Sequence, residues 1–388
     1  MAVESREPRL SWVIESTARG AKQTAYQIIV ASSEKELTAG RGDLWDTGKV
    51  AGNQTLQIAY QGKPLDSRQA CFWKVRVWDQ NNNPSAWSKP ARFLMGLLKS
   101  SDWSAKWIGD KLPSVETVSA TMLRRAFKLD AKAKRAIIYA SALGVYELRI
   151  NGQRVGDHLL APEFTDYHAR TQYQTYDVTS LLRAGDNAIG ATVGDGWYAG
   201  GIGLGQALIK KPRNIYGNHP RFIAQLEIEL ADGKKSRIVT DDLWRTTREG
   251  PIRSSDILNG EDYDARREMA GWDAPGFDDK TWQAADSAEN VSTKLVAQPN
   301  EPICITRERK PISMNEPKPG VYVFDMGQNM VGWCRLNARS AAGVTVTLRH
   351  AEMLNPDGTI YTDNLRIAKQ TDTYTTRGGL YENFEPHF

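Results

Sequence analysis

Asp195, Trp197 and Tyr198 fall within the run Gly194-Asp195-Gly196-Trp197-Tyr198-Ala199-Gly200-Gly201. These residue types suit a sugar. An aromatic face packs on the C–H side of a pyranose, and a carboxylate accepts from its hydroxyls through charge-assisted bonds. A second polar run carries Asp256, Asn259, Glu261, Asp262 and Asp264. It offers hard oxygen donors of the kind calcium takes, although such a cluster by itself is more often a solvated loop. Glycoside hydrolysis would need two carboxylates astride the scissile bond. With 46 acidic residues, imaginable pairs are too many for counting to decide anything. There is no Gly-x-Ser-x-Gly elbow, no Gly-Lys-[Ser/Thr] phosphate loop and no His-Glu-x-x-His pair. Gly201, Gly203 and Gly205 lack the strand-to-helix context of a dinucleotide loop. His350, in LRHAE, reads as a packed or edge residue. No catalytic residue is assigned.

The elements that must position these residues are strands. Tyr146, Leu148 and Ile150 alternate with Glu147 and Arg149, and Asn151-Gly152 follows at once as a two-residue hairpin signal. Asp177 and Thr179 can cap a short turn over Ser180-Leu-Leu-Arg, which Gly185 ends. Ile189, Ala191 and Val193 then alternate directly into the Asp195 run. Leu226, Ile228 and Leu230 lead to a second hairpin signal at Asp232-Gly233, and Val344, Val346 and Leu348 repeat the alternation further on. Asp79, Asn81 and Asn83 have a calcium-loop rhythm, but Pro84 stands where that loop needs glycine, so a hairpin turn is expected.

Composition sets the outer bounds. The length of 388 residues provides for two or three domains, and a formal charge of +4 over that length is close to neutral. The short basic clusters around Lys132, Lys210 and Arg307 lack interleaved aromatics and read as solvated faces, so no nucleic-acid partner is expected. No apolar run approaches ~18 residues, so no membrane span is expected. The N-terminus has no signal-peptide core, and no compartment is assigned. Cys71, Cys304 and Cys334 are odd in number and far apart, and read as buried free thiols.

The motifs Tyr146-x-Leu-x-Ile-Asn-Gly152, Thr165-x-Tyr-x-x-Arg170, Tyr176-Asp-Val-Thr179 and Gly194-x-Gly-Trp-Tyr198 resemble the N-terminal carbohydrate-binding sandwich of bacterial α-L-rhamnosidases. Upstream, PRLSW, FWKVRVWD and AWSKPARFLMG are similar to the fibronectin type III-like module that opens many of them. Downstream, FDMGQNMVGW, LRHAEML and DTY are similar to the sandwich that precedes their catalytic domain. The resemblance implies an all-β chain of tandem antiparallel sandwiches: a fibronectin III-like domain over 1–97, a jelly-roll, carbohydrate-binding-like domain over 98–295, and a partial, concanavalin-like sandwich over 296–388. The parent enzyme would be an inverting glycosidase whose acid and base lie in a helical barrel. This sequence offers almost no amphipathic helix of ~12 residues, so the catalytic domain is expected downstream and the chain alone is expected to be inactive. The resemblance further implies L-rhamnose or a rhamnose-containing glycan as partner, held by Asp195, Gly196, Trp197, Tyr198, Asn259 and Glu261. A calcium ion is expected on Asp195, Asn259 and Asp264. Gly196 departs from members that carry an amide after the aspartate. The competing reading is a free-standing lectin-like or surface adhesion protein.

Overall fold

The computed structural model describes residues 2–114, 119–202, 213–288, 291–379 and 381–388. Gly203, Gly205, Lys210 and Lys211 lie outside the described residues, whereas Arg213 of the same basic cluster is described. The chain forms two compact units, Met1–Ser104 with Val296–Asn300, and Ala105–Leu295 with Glu301–Phe388. Its sheets are predominantly antiparallel, as expected, with parallel pairing of Ala2–Val3 to Ala91–Met95 and of Gly260–Asp264 to Thr371–Thr375. Among the described residues α-helix is confined to Glu34–Thr38 and Gly196–Ala199, and no helix is long and apolar enough to cross a membrane.

In the first unit, Ala25–Ala31 pairs antiparallel with Ala70–Trp78, which in turn pairs with Ala91–Met95. Ile28, Val30, Cys71, Val75, Phe93 and Met95 close a core from that sheet. Ile29 and Ala31 bury the opposite face under Leu37 of the short helix, whose Ser33 hydroxyl accepts from the Glu36 N–H. Asp79 Oδ1 accepts from the Asn81 and Asn83 N–H groups, each at 2.8 Å, which closes the expected hairpin turn.

The second unit is built on a sandwich. One sheet orders Gln153–Arg154, Val145–Ile150, Gly185–Gly194, Thr121–Leu129, Arg245–Thr247 and Gln283–Ala284, all antiparallel. The facing sheet contains Trp107–Gly109, Arg221–Leu230, Ala133–Leu143 and Arg170–Asp177, with Lys235–Val239 beside Arg221–Leu230. Tyr146, Leu148 and Ile150 point into the core with Ile189, Ala191, Val193, Phe222, Leu226 and Ile228, as the period of two requires. Asn151 (φ +52°) and Gly152 (φ +82°) make the tight turn, pairing Ile150 with Gln153. The predicted turn after Asp177 is a single 3₁₀ turn, Thr179–Leu181, with Asp177 Oδ1 accepting from the Thr179 hydroxyl at 2.6 Å.

Two features were not visible in the pattern. Arg124 is buried in the Thr121–Leu129 strand, where it donates to the Trp272 carbonyl at 2.7 Å and pairs with Asp279. This clamps the 269–282 segment onto the sheet, and Gly190 admits it: a Cβ there would lie 2.5 Å from the Trp272 ring. Secondly, the Ile252–Asp256 and Gly260–Asp264 hairpin leaves the sandwich and joins a separate sheet with Thr371–Thr375 and Thr345–Arg349, pairing parallel to Thr371–Thr375.

The cysteines are free, but only Cys71 is buried; Cys304 is exposed and Cys334 half-exposed. The expectation of three buried thiols is corrected accordingly. Strand structure resumes at Leu336–Ala338, after Cys334, leaving this thiol on a loop.

Candidate functional site

The Gly185–Gly194 strand delivers Asp195 to one end of the sandwich, where the chain coils into the helical turn Gly196–Ala199. The glycine-rich run is thus partly wound: the Ala199 and Gly200 N–H groups donate to the Asp195 and Gly196 carbonyls at 3.1 and 3.0 Å. Gly196 has φ +51°, and a Cβ there would stand 2.8 Å from Val145 Cγ1 and 3.0 Å from the Val145 backbone nitrogen. That close approach explains why no amide side chain follows Asp195.

Asp195 is only 6% exposed. Its two oxygens accept from Ser114 Oγ, each at 2.8 Å, and Oδ2 also accepts from Arg213. The other end of the Arg213 guanidinium donates to Asp256 Oδ2 at 2.7 Å, and the Gly201 N–H donates to the same oxygen at 2.8 Å. Asp256 Oδ1 caps its own turn, accepting from the Leu258 and Asn259 N–H groups at 2.9 and 3.2 Å. One planar cation therefore ties two buried carboxylates from different elements. Burial pushes the Asp195 carboxyl pKa above its ordinary value, with Arg213 pulling only partly against it.

Beside this brace lies a group of rings. Phe164 is 6.1 Å from Trp197 and 6.2 Å from Tyr216, while Tyr167 is 5.4 Å from Tyr198 and 5.2 Å from Tyr216. Phe164 is 49% exposed and Trp197 and Tyr198 are half-buried, so the group presents aromatic surface as well as filling space. Asp166 accepts from the His168 N–H at 3.1 Å and stands 3.6 Å from its ring.

The remaining candidates are spent elsewhere. Glu261 is fully buried, accepting from the His387 N–H and lying 3.0 Å from its Nδ1. Asp264 accepts from Arg266 Nε and Nη2, both at 2.8 Å. Asn259 bridges through its backbone, its carbonyl accepting from the Thr371 N–H at 3.1 Å. This arrangement does not fit the calcium set Asp195, Asn259 and Asp264: guanidinium groups hold both carboxylates, and among the described residues no group of three His, Cys, Asp or Glu is placed to hold a metal. Arg213 corrects the reading of the Lys210 cluster as a solvated face: its side chain is only 11% exposed and spends its charge on Asp195 and Asp256. Sequence reasoning missed Ser114 and Tyr216, which lie far from Asp195 or carry no periodic signal.

Residues 1–99 match the family described as "Rha78A-like, N-terminal immunoglobulin domain", 131–307 "Alpha-L-rhamnosidase N-terminal domain", and 315–388 "Bacterial alpha-L-rhamnosidase concanavalin-like domain". The whole chain is 35% identical to an α-L-rhamnosidase of Streptomyces avermitilis, covering 53% of that protein, and 95% of it is 40% identical to one of Formosa agariphila, covering 40%. The chain belongs to the bacterial α-L-rhamnosidase family. The crystal structure of the S. avermitilis α-L-rhamnosidase complexed with L-rhamnose superposes on all of this chain with a TM-score of 0.92 at 34% identity, over 53% of its own length. The enzyme from Dictyoglumus thermophilum superposes with a TM-score of 0.91 at 39% identity, over 44% of its length. The chain thus spans about half the length of these relatives or less, and matches their N-terminal sandwiches.

Proposed function

We propose that this chain is a non-catalytic, glycan-binding portion of an α-L-rhamnosidase, and that its Asp195 end holds a terminal rhamnose. The observation that carries this reading is the partly exposed ring group of Phe164, Trp197, Tyr198 and Tyr216 set against the Arg213-braced carboxylates. Rings offer a flat face to the C–H side of a pyranose, and the fixed dipoles beside them orient its hydroxyls. The S. avermitilis relative, crystallised as a complex with L-rhamnose, supports the sugar's identity. The inactivity rests on architecture. The described helices are single short turns, and an acid–base pair needs carboxylates free to protonate a leaving group and activate water; Asp195, Asp256 and Asp264 are each engaged by arginine.

Titration calorimetry with L-rhamnose, with and without calcium, tests the binding. A saturable heat at millimolar sugar, lost in Trp197→Ala, is expected. No heat at that concentration under either condition refutes it. Calcium-dependent binding would mean that Arg213 gives up its carboxylates to the ion. Turnover of an aryl α-L-rhamnoside by the purified chain would refute the inactivity.

A further inference from the structure

A cavity of about 330 Å³ opens on the outer face of the sandwich. The period of two that buries Tyr146, Leu148, Ala191 and Val193 turns Glu147, Arg149, Gly190 and Thr192 to this other face. Register then sets them in rows across three strands: Arg124, Gly190 and Arg149 in one, Met122, Thr192 and Glu147 in the next. Trp272 lies over the first row, where Gly190 admits its ring. Past the second row the next outward position, Gly194, is covered, since a Cβ there would stand 2.7 Å from Ser255 Oγ and 2.8 Å from the Phe388 ring. The middle row is left as the floor of the cavity. Met269, Trp272 and Asp273 from one segment, and Tyr263, Arg377 and His387 from others, line the rest.

Every charged group on this lining is already paired. Arg149 donates from Nη1 to Glu147 at 3.0 Å and from Nε to Asp273 Oδ2 at 2.6 Å. Arg377 donates to one oxygen of Glu268 at 2.5 Å, and the other oxygen accepts from the Tyr263 hydroxyl at 3.1 Å. His387 Nδ1 lies 3.0 Å from Glu261. No charge is left over to attract an ionic ligand, yet the carboxylates keep lone pairs and the Arg377 guanidinium keeps N–H groups. Such a surface matches hydroxyls, which donate and accept at once. Thr192 adds a half-buried hydroxyl at the floor, while Met122, Met269 and Trp272 add apolar surface for C–H groups.

We propose that this cavity is a second carbohydrate site, for a fully hydroxylated neutral hexopyranose. Polar groups come from the floor and from the walls, so a methyl group on the sugar would leave one of them unmatched, and a site built for a hydroxyl rejects the analogue that lacks it. The volume is at the low end for small-molecule sites, which suits a single ring. The cavity shares no lining residue with the Asp195 brace or its rings, so this inference stands apart from the rhamnose reading.

The test uses half-buried Met269 as an internal probe. The full chain is oxidised with dilute hydrogen peroxide, alone or with D-glucose, D-galactose or D-mannose at roughly 50 mM, and sulfoxide is followed at each methionine by peptide mass. At least one hexose should slow Met269 oxidation about fivefold, leaving the exposed Met314 and Met353 unchanged. L-Rhamnose and D-glucuronate should protect less. Trp197→Ala should keep the protection although it is expected to lose the rhamnose heat, so the two sites fail separately. Thr192→Val, which removes the floor hydroxyl and keeps the branched shape, should weaken protection several-fold. No protection by any of the three hexoses overturns the proposal without recourse to a variant. Protection by L-rhamnose or D-glucuronate equal to that by the best hexose overturns it too, as does protection unchanged in folded Thr192→Val or lost in folded Trp197→Ala.

Discussion

At the Asp195 end of the sandwich, two buried carboxylates share an arginine; in the sheet that the Gly260–Asp264 strand makes with Thr371–Thr375, the carboxylates of Glu261 and Asp372 take histidines. Both arrangements bury acid, but their cations differ. Arginine stays charged at any pH a folded protein meets, so the first brace is constant. Histidine titrates near neutrality, so the second weakens as the ring loses its proton. One chain thus carries a brace that keeps its charge at any such pH and a region whose packing answers to pH.

The largest expected effect breaks the constant brace. Arg213→Met leaves Asp195 and Asp256 buried without a cation, and should destabilise the second unit by about 3–5 kcal/mol, read as a fall in its thermal unfolding midpoint. Gly196→Ala comes next, at about 2 kcal/mol, since it adds a Cβ against the Val145 backbone at a positive φ; circular dichroism melts measure it.

A pH series sharpens the contrast. His350 has a folded pKa of about 9, above its ordinary value, so its stabilising contribution is complete below about pH 6.5 and is lost as pH rises through about 9. With its ring partly exposed, the expected loss is about 2 kcal/mol after allowing for solvent screening. His387 acts in the same sense: burial opposes its charge, Glu261 outweighs burial, and its pKa is raised. Unfolding midpoints measured across that window should fall, and His350→Gln should flatten the fall. A pH-independent midpoint would remove the distinction between the two regions.

The smallest effect is expected for Asp195→Asn. Burial already raises the pKa of this carboxyl, so a neutral isostere gives up part of the Arg213 bond but also escapes desolvation. Chemical denaturation should show a change of no more than about 1 kcal/mol, well below that of Arg213→Met. Equal losses in the two variants would mean that the carboxylate, and not the arginine, dominates the cluster.

Much of the scaffold was legible. The alternation of Tyr146, Leu148 and Ile150, the Asn151-Gly152 turn and the Asp232-Gly233 hairpin are local signals, and each reports which residue must leave water. The site was legible only in part. Asp195, Trp197 and Tyr198 announce themselves by type and proximity, and Phe164 and Tyr167 join them in space. Arg213 reads with its basic neighbours as solvated and Tyr216 gives no signal, because an arginine or tyrosine in a polar stretch looks solvated until the fold shows what covers it. Glu261 and Asp264 appeared as part of one oxygen-rich loop, yet they sit in a strand that pairs parallel with residues more than a hundred positions away and spend their charge on His387 and Arg266.

What the chain's residues determined unaided was the strand repertoire, the turns and the family, since a period of two and a glycine turn depend only on near neighbours and on aversion to water. The tertiary structure alone decided which acid met which base. Ion pairs form between groups brought together from distant positions and stripped of solvent, and neither that approach nor that burial is written in local spacing.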